Sequence, residues 1–153
     1  MSSIFEAFVR NFYRLEQSQF SVGSEVVPWD MGADPLGYAA YLPSMFTDVT
    51  LRSPTRTIVI DAKFYRQALV SRLGGQNKVR SAHLYQLMSY LKNTAKRGGP
   101  DGHAEGLLLY PSTDGRDLRL EFELIGHKVC AYTVDLTKPW PDIRQELLTM
   151  IYH

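Results

Sequence analysis

Apolar positions along this chain follow two periods. Between residues 3 and 15 they recur at three- and four-residue steps (Phe5, Phe8, Val9, Phe12, Leu15), which predicts a helix with one buried stripe. Residues 81–93 repeat the pattern through Leu84, Leu87, Met88 and Leu91. Trp140-Pro141-Asp142 opens a closing helix with Ile143, Leu147, Leu148 and Ile151 turned inward. Shorter apolar or alternating runs at 20–27, 45–51, 57–65, 105–110, 118–124 and 128–136 predict strands. Residues 28–43 hold three prolines and two glycines and read as a long loop. Residues 66–80 read as a basic connection around Gly74-Gly75, and 94–104 as a loop rich in glycine and basic residues. The order helix, strands, helix, strands, helix predicts an α/β fold with a mixed central sheet flanked by helices. The whole of 1–153 reads as a single domain.

Two of these strands invite a register calculation. If the loop Ser53–Arg56 joins 45–51 to 57–65 as an antiparallel hairpin, Arg52 faces Thr57, Leu51 faces Ile58, Val49 faces Ile60, and Met45 faces Phe64. Alternation then gathers Met45, Val49, Leu51, Ile58, Ile60, Ala62 and Phe64 on one core face. The other face, expected to be open to solvent, collects Asp48, Thr50, Val59, Asp61 and Lys63. Asp48 falls opposite Asp61. A slip of one residue would drive Asp48 into the core, so the hydrophobic pattern favours this register. Directly opposed side chains have Cβ atoms about 4.5–5.5 Å apart. Two carboxylates that close repel unless one keeps a proton, a lysine neutralises them, or a divalent cation binds both. Lys63, two residues beyond Asp61, shares their face. A surface salt-bridge cluster of Asp48, Lys63 and Asp61 is the plain alternative.

The net charge of +1 hides a segregated distribution. From Lys63 to Pro100 the chain holds eight basic residues and no Asp or Glu, so all 16 acids lie elsewhere. Such a stretch suits a polyanion. Hydrophobic residues at 44% and charged residues at 22% exclude a disordered tail, and no apolar run is long enough to span a membrane. One cysteine, Cys130, excludes an internal disulfide and a cysteine-built metal site. A cytoplasmic protein is expected.

Four segments in order carry a family resemblance: FEAFVRNFYR, FTDVTL, VIDAKFY and VRSAHLYQLMSYL. An acid, a short gap and a hydrophobic strand ending in Asp-x-Lys, here Asp48 and Asp61-Ala62-Lys63, resembles the PD-(D/E)XK nuclease superfamily. Thr47 stands where that family often has proline. Glu6 matches its leading-helix acid, and Gln86 and Tyr90 match its Gln-x-x-x-Tyr helix. More narrowly, the set resembles the nuclease domain of the McrC family, the cleaving subunits of modification-dependent restriction systems.

The resemblance implies a restriction-endonuclease-like fold and a Mg²⁺-dependent DNA endonuclease, with Mn²⁺ able to substitute. It implies catalytic roles for Asp48, Asp61, Lys63, Glu6 and Gln86. Asp48, Asp61 and Glu6 would hold the metal, with the Ala62 carbonyl as a further ligand. Lys63 would orient the attacking water and offset transition-state charge. Arg66, Arg72, Lys78, Arg80 and Tyr90 are the expected nucleic-acid contacts. A McrB-like AAA+ GTPase is the implied partner, through an N-terminal region that these residues do not include. A dimer would serve double-strand cleavage.

Plainer readings stand beside these. Ser3 and Glu6 have capping-box spacing, and Glu6 sits four residues before Arg10. Gln86 and Tyr90 share a helical face at i, i+4, where they contact phosphate, brace Lys63 or simply form a polar surface. Trp29, Tyr38 and Tyr41 suit base stacking or packing. His103 and His127 fall in expected turns. A nuclease-like module that binds DNA or a motor without cutting is the alternative function.

Overall fold

The computed structural model describes residues 2–64, 69–71, 77–112 and 117–152. Helix α1 (Ser2–Glu16) is followed by β1 (Ser21–Gly23), β2 (Val26–Val27), β3 (Met45–Phe46), β4 (Val49–Arg52) and β5 (Thr57–Ala62). Then come β6 (Leu69–Ser71), β7 (Asn77–Val79), α2 (Ser81–Thr94), β8 (Glu105–Ser112), β9 (Arg119–Leu124), β10 (His127–Asp135) and α3 (Trp140–Ile151). Six strands form one mixed sheet in the order β1-β4-β5-β8-β10-β9. β5, β8 and β10 run parallel, and antiparallel neighbours complete both sides. The predicted α/β architecture, a mixed sheet flanked by helices, is the one observed.

Helices cover both faces. Phe5, Val9, Phe12 and Tyr13 of α1 and Ile143, Leu147 and Ile151 of α3 pack on Val49, Leu51, Ile58, Ile60 and Ala62. The Tyr13 hydroxyl donates to the Leu147 carbonyl at 2.8 Å and locks the two helices together. Leu87, Tyr90 and Leu91 of α2 pack on the opposite face against Val59, Leu108, Tyr110, Val129 and Ala131. Gly106 of β8 lets α2 lie close: a Cβ there would meet Leu91 Cδ1 at 2.8 Å. No described helix is long and apolar enough to cross a membrane.

The β4–β5 register is the predicted one, with Val49 opposite Ile60, Leu51 opposite Ile58 and Arg52 opposite Thr57. Ser53 closes the turn by accepting the Thr55 and Arg56 amides on its hydroxyl. Several expectations need correction. The run 45–51 is not one strand: β3 pairs with β2 in a separate ribbon, and Thr47-Asp48 breaks the chain before β4. Met45 therefore packs on the α2 side, while Phe64 sets its ring edge-on to Phe5 on the α1 side. The face expected to be open is covered by α2, because the central strand is apolar on both sides. The run 20–27 likewise divides into β1 and β2.

The expected connection at 66–80 contains β6 and β7, paired antiparallel with Leu69 opposite Val79. Short 3-10 turns occupy Tyr38–Tyr41, Ala95–Arg97 and Gly99–His103 within the expected loops. Ser3 lies inside α1, so it does not cap it. His127 begins β10, is buried, and hydrogen bonds through Nδ1 to the Ala104 carbonyl at 2.7 Å. The tight turn ahead of it has positive φ at both Ile125 and Gly126, as a two-residue hairpin of this hand requires.

Candidate active site

Strand β5 ends where its two faces diverge. Ala62 points into the α1–α3 core, and Asp61 points toward α2 with 1% of its surface exposed. A surface salt-bridge cluster is thereby excluded for Asp61. Immediately beyond, the Lys63 amide donates to the Leu109 carbonyl of the parallel neighbour at 2.9 Å, which fixes where the lysine leaves the sheet. Its ammonium lies 3.2 Å from Asp61 Oδ1 and donates to Gln86 Oε1 at 2.6 Å. Gln86 in turn donates through Nε2 to the Tyr90 hydroxyl at 2.8 Å, one turn further along α2. The helix therefore braces the lysine from above.

Asp48 arrives from the break before β4. Its Oδ2 accepts the Ala62 amide at 2.9 Å. The Asp48 and Asp61 carboxyls face each other. Burial raises the Asp48 pKa most, followed by the Asp61 carboxyl and its charge, and together they bring it to about 7. The Ala62 amide and Lys63 oppose that rise. Burial also pushes Asp61 up, against the stabilising influence of Asp48 and Lys63. Without a cation the pair thus keeps a proton near neutrality. Asp61 Oδ2 is buried and meets no hydrogen-bond partner among the described residues. A buried, partnerless carboxyl oxygen beside a second carboxyl is a donor set in which a hard divalent ion would take the place of the retained proton.

Glu6 is half-buried on the first turns of α1, and its negative charge contributes to the upward shifts of Asp61 and Tyr90. No group of three His, Cys, Asp or Glu side chains is placed to hold a metal among the described residues. Two carboxyls, Asp48 and Asp61, converge, and the charge of Glu6 reaches Asp61. Tyr90 is only 6% exposed and belongs to the core under α2. Burial first, then the charge of Asp61, raises its pKa to about 12, so it stays a neutral phenol that holds Gln86. Its hydroxyl accepts the Gln86 amide, and its ring faces the core. His83, one turn before Gln86, bonds the Tyr110 hydroxyl at 2.8 Å. Burial, then Lys63 and Arg80, lower its pKa to about 4, so it adds no positive charge at neutral pH.

Of the basic residues expected on DNA, Lys78 is exposed on β7 and Arg80 is half-buried at the start of α2. Arg66 and Arg72 lie outside the described residues. Sequence reasoning passed over two features. The Thr47 and Thr50 hydroxyls meet at 2.7 Å, buried beneath the break that presents Asp48. Arg10, weighed only as a helical partner of Glu6, donates to the Asp48 carbonyl at 3.2 Å. Its place one turn after Glu6, at the edge of the apolar stripe, was the available signal.

Comparison with known proteins bears on this arrangement. Over 148 residues, 97% of the chain, the sequence is 34% identical to the "Type IV methyl-directed restriction enzyme EcoKMcrBC" of Escherichia coli (strain K12). The chain is a homologue of part of that restriction enzyme. It spans 41% of the length of that relative. A restriction-type nuclease domain is consistent with that likeness and with the mixed sheet. No family model matches the chain.

Proposed function

We propose that this chain is the Mg²⁺-dependent DNA-cleaving domain of a restriction system driven by an AAA+ GTPase, with a PD-(D/E)XK type of site. The observation that supports it most is the confrontation of Asp48 and Asp61 around a partnerless carboxylate oxygen, with Lys63 held beside them by Asp61 and Gln86. Asp48 and Asp61 would hold the ion, and the Ala62 carbonyl, which follows Asp61 directly in the chain, would be a further ligand. A bound divalent ion supplies Lewis-acid polarisation of the scissile phosphate and a water of lowered pKa.

The chain's own groups do the rest. Asp61 and Gln86 restrict the Lys63 ammonium to one orientation, where it can align the attacking water and balance charge building on the phosphate. Tyr90 keeps Gln86 from rotating away. Glu6 adds negative field at the ion. The exposed Lys78, with Arg80, would contact the phosphate backbone, giving salt-dependent affinity without reading sequence. Choice of modified DNA would reside in the partner, and two copies would cut the two strands.

Incubating supercoiled plasmid with the protein and Mg²⁺ or Mn²⁺, with and without an AAA+ GTPase partner, tests this. Relaxed and linear products are expected with either ion, none in chelator, and none from Lys63→Ala. Cleavage that survives Lys63→Ala would reject the site. DNA binding with no cleavage under any ion would favour a silent nuclease-like module.

A further inference from the structure

Asp48 sits at a discontinuity. β3 ends at Phe46 in one ribbon, and β4 begins at Val49 in the main sheet. Thr47 is tied down on every polar atom. Its amide donates to the Glu25 carbonyl at 2.8 Å and its carbonyl accepts the Ser24 hydroxyl at 2.6 Å. Its hydroxyl accepts the Glu25 amide at 3.0 Å and meets Thr50 Oγ1 at 2.7 Å. Asp48 is held differently. Its carboxylate takes the Ala62 amide, a bond that in an unbroken ladder goes to a main-chain carbonyl. The side chain thus substitutes for the strand, and its own carbonyl is turned toward α1. There Arg10 Nη1 meets it at 3.2 Å, from a half-buried side chain on a helix otherwise packed by Phe5, Val9, Phe12 and Tyr13.

We infer that Arg10 is the positioning residue for Asp48: by gripping the Asp48 carbonyl from α1 it fixes the peptide plane at the strand break and keeps the carboxylate aimed at Ala62 and Asp61. This rests on the proposed metal-dependent cleavage for its consequence, but the geometry it asserts exists without an ion. A guanidinium gives a charge-assisted bond in a fixed plane. Residues that orient a ligand from behind typically change metal affinity by roughly 10–100-fold when removed.

The test compares wild type with Arg10→Met, which keeps the apolar stem, and Arg10→Lys, which keeps one charged donor. Amide hydrogen exchange in metal-free buffer reads the geometry directly. In Arg10→Met the Ala62 amide is expected to exchange about tenfold faster or more, while the Ile58 and Ile60 amides keep their protection. Arg10→Lys restores part of the difference. Titration with Mn²⁺ followed by calorimetry reads the consequence: affinity about tenfold weaker in Arg10→Met, with cleavage recovering at saturating Mn²⁺. Unchanged Ala62 exchange overturns the inference, as does loss of protection spread evenly through β5. Wild-type protein that takes up no Mn²⁺ speaks against the proposed cleavage, and Ala62 exchange still decides the role of Arg10.

Discussion

The two faces of the central sheet differ in what they bury. On the side of α1 and α3, strand β5 contributes Ile58, Ile60 and Ala62 to a core of aliphatic and aromatic side chains. On the side of α2, the same strand contributes Val59 and Asp61. Alternation places every buried polar residue of the described six-stranded sheet on that second side: Thr50, Thr57, Asp61, Ser112, His127 and Thr133. Helix α2 adds buried His83 and Thr94. One layer therefore supplies adhesion, and the other holds groups whose desolvation costs stability and confers reactivity. A single strand serves both because its period of two keeps the tasks apart.

Substitutions within β5 separate the two tasks most sharply. Asp61→Asn removes one of two confronted carboxylates without changing shape. Cleavage is expected to fall by at least about 10²–10³-fold, while the melting temperature in chelator holds or rises. A fall of several degrees there would show that Asp61 is structural after all. Ile60→Ala, one residue away on the other face, should do the reverse. Its cavity costs about 2–5 kcal/mol in urea unfolding, and the folded protein should bind Mn²⁺ as before. Altered ion affinity in that variant breaks the separation.

A smaller effect tests how closely α2 must approach. Gly106→Ala places a methyl 2.8 Å from Leu91 Cδ1 and 2.9 Å from Leu87 Cδ2, both in fully buried side chains. Overpacking of this kind costs about 1–3 kcal/mol. The displaced helix takes Gln86 and Tyr90 with it, so cleavage should drop while the Asp48–Ala62 bond, watched through the Ala62 amide, persists. Retained full activity would mean that the brace on Lys63 is dispensable.

The mildest change concerns pH. In the folded, metal-free protein the Asp48 carboxyl titrates near 7, raised by burial and by Asp61, whereas in the unfolded chain it titrates near 4. Folding therefore takes up a proton between those values, and stability falls as pH rises through that window. Melting curves from pH 5 to 8 in chelator should slope downward, and Mn²⁺ should flatten them. Asp48→Asn should lose most of the slope and gain on the order of 1 kcal/mol at pH 8, about 2–4 °C in a protein of this size. A melting temperature that climbs with pH contradicts the confronted pair.

Much of this was legible from alternation and spacing. Apolar residues at every second position predict the β4–β5 register, which runs from Val49 to Arg52 and stops one residue short of Asp48. The three helices followed from their stripes. What alternation missed was local. The break at Thr47-Asp48 depends on a buried hydroxyl pair and on bonds to Ser24 and Glu25, distant in sequence. The β6–β7 ribbon was masked by its basic residues, although a Gly-Gly pair between short branched runs is a hairpin signal. Covering of the second face by α2 was hidden because Gln86 and Tyr90 looked polar, when Tyr90 is mostly a buried ring. Arg10 reaches a carbonyl rather than a side chain, and no pattern of side-chain types announces such a bond.

The parallel pairing of β5 with β8 has a bearing on how such a molecule diversifies. Neighbours that run in the same direction cannot be joined by a tight turn, so the polypeptide must make a long excursion from Lys63 before it re-enters the sheet at Glu105. That excursion contains the acid-free basic stretch and the helix that steadies the lysine. Insertions or deletions within it would remodel that basic surface without touching the register of β4 on β5.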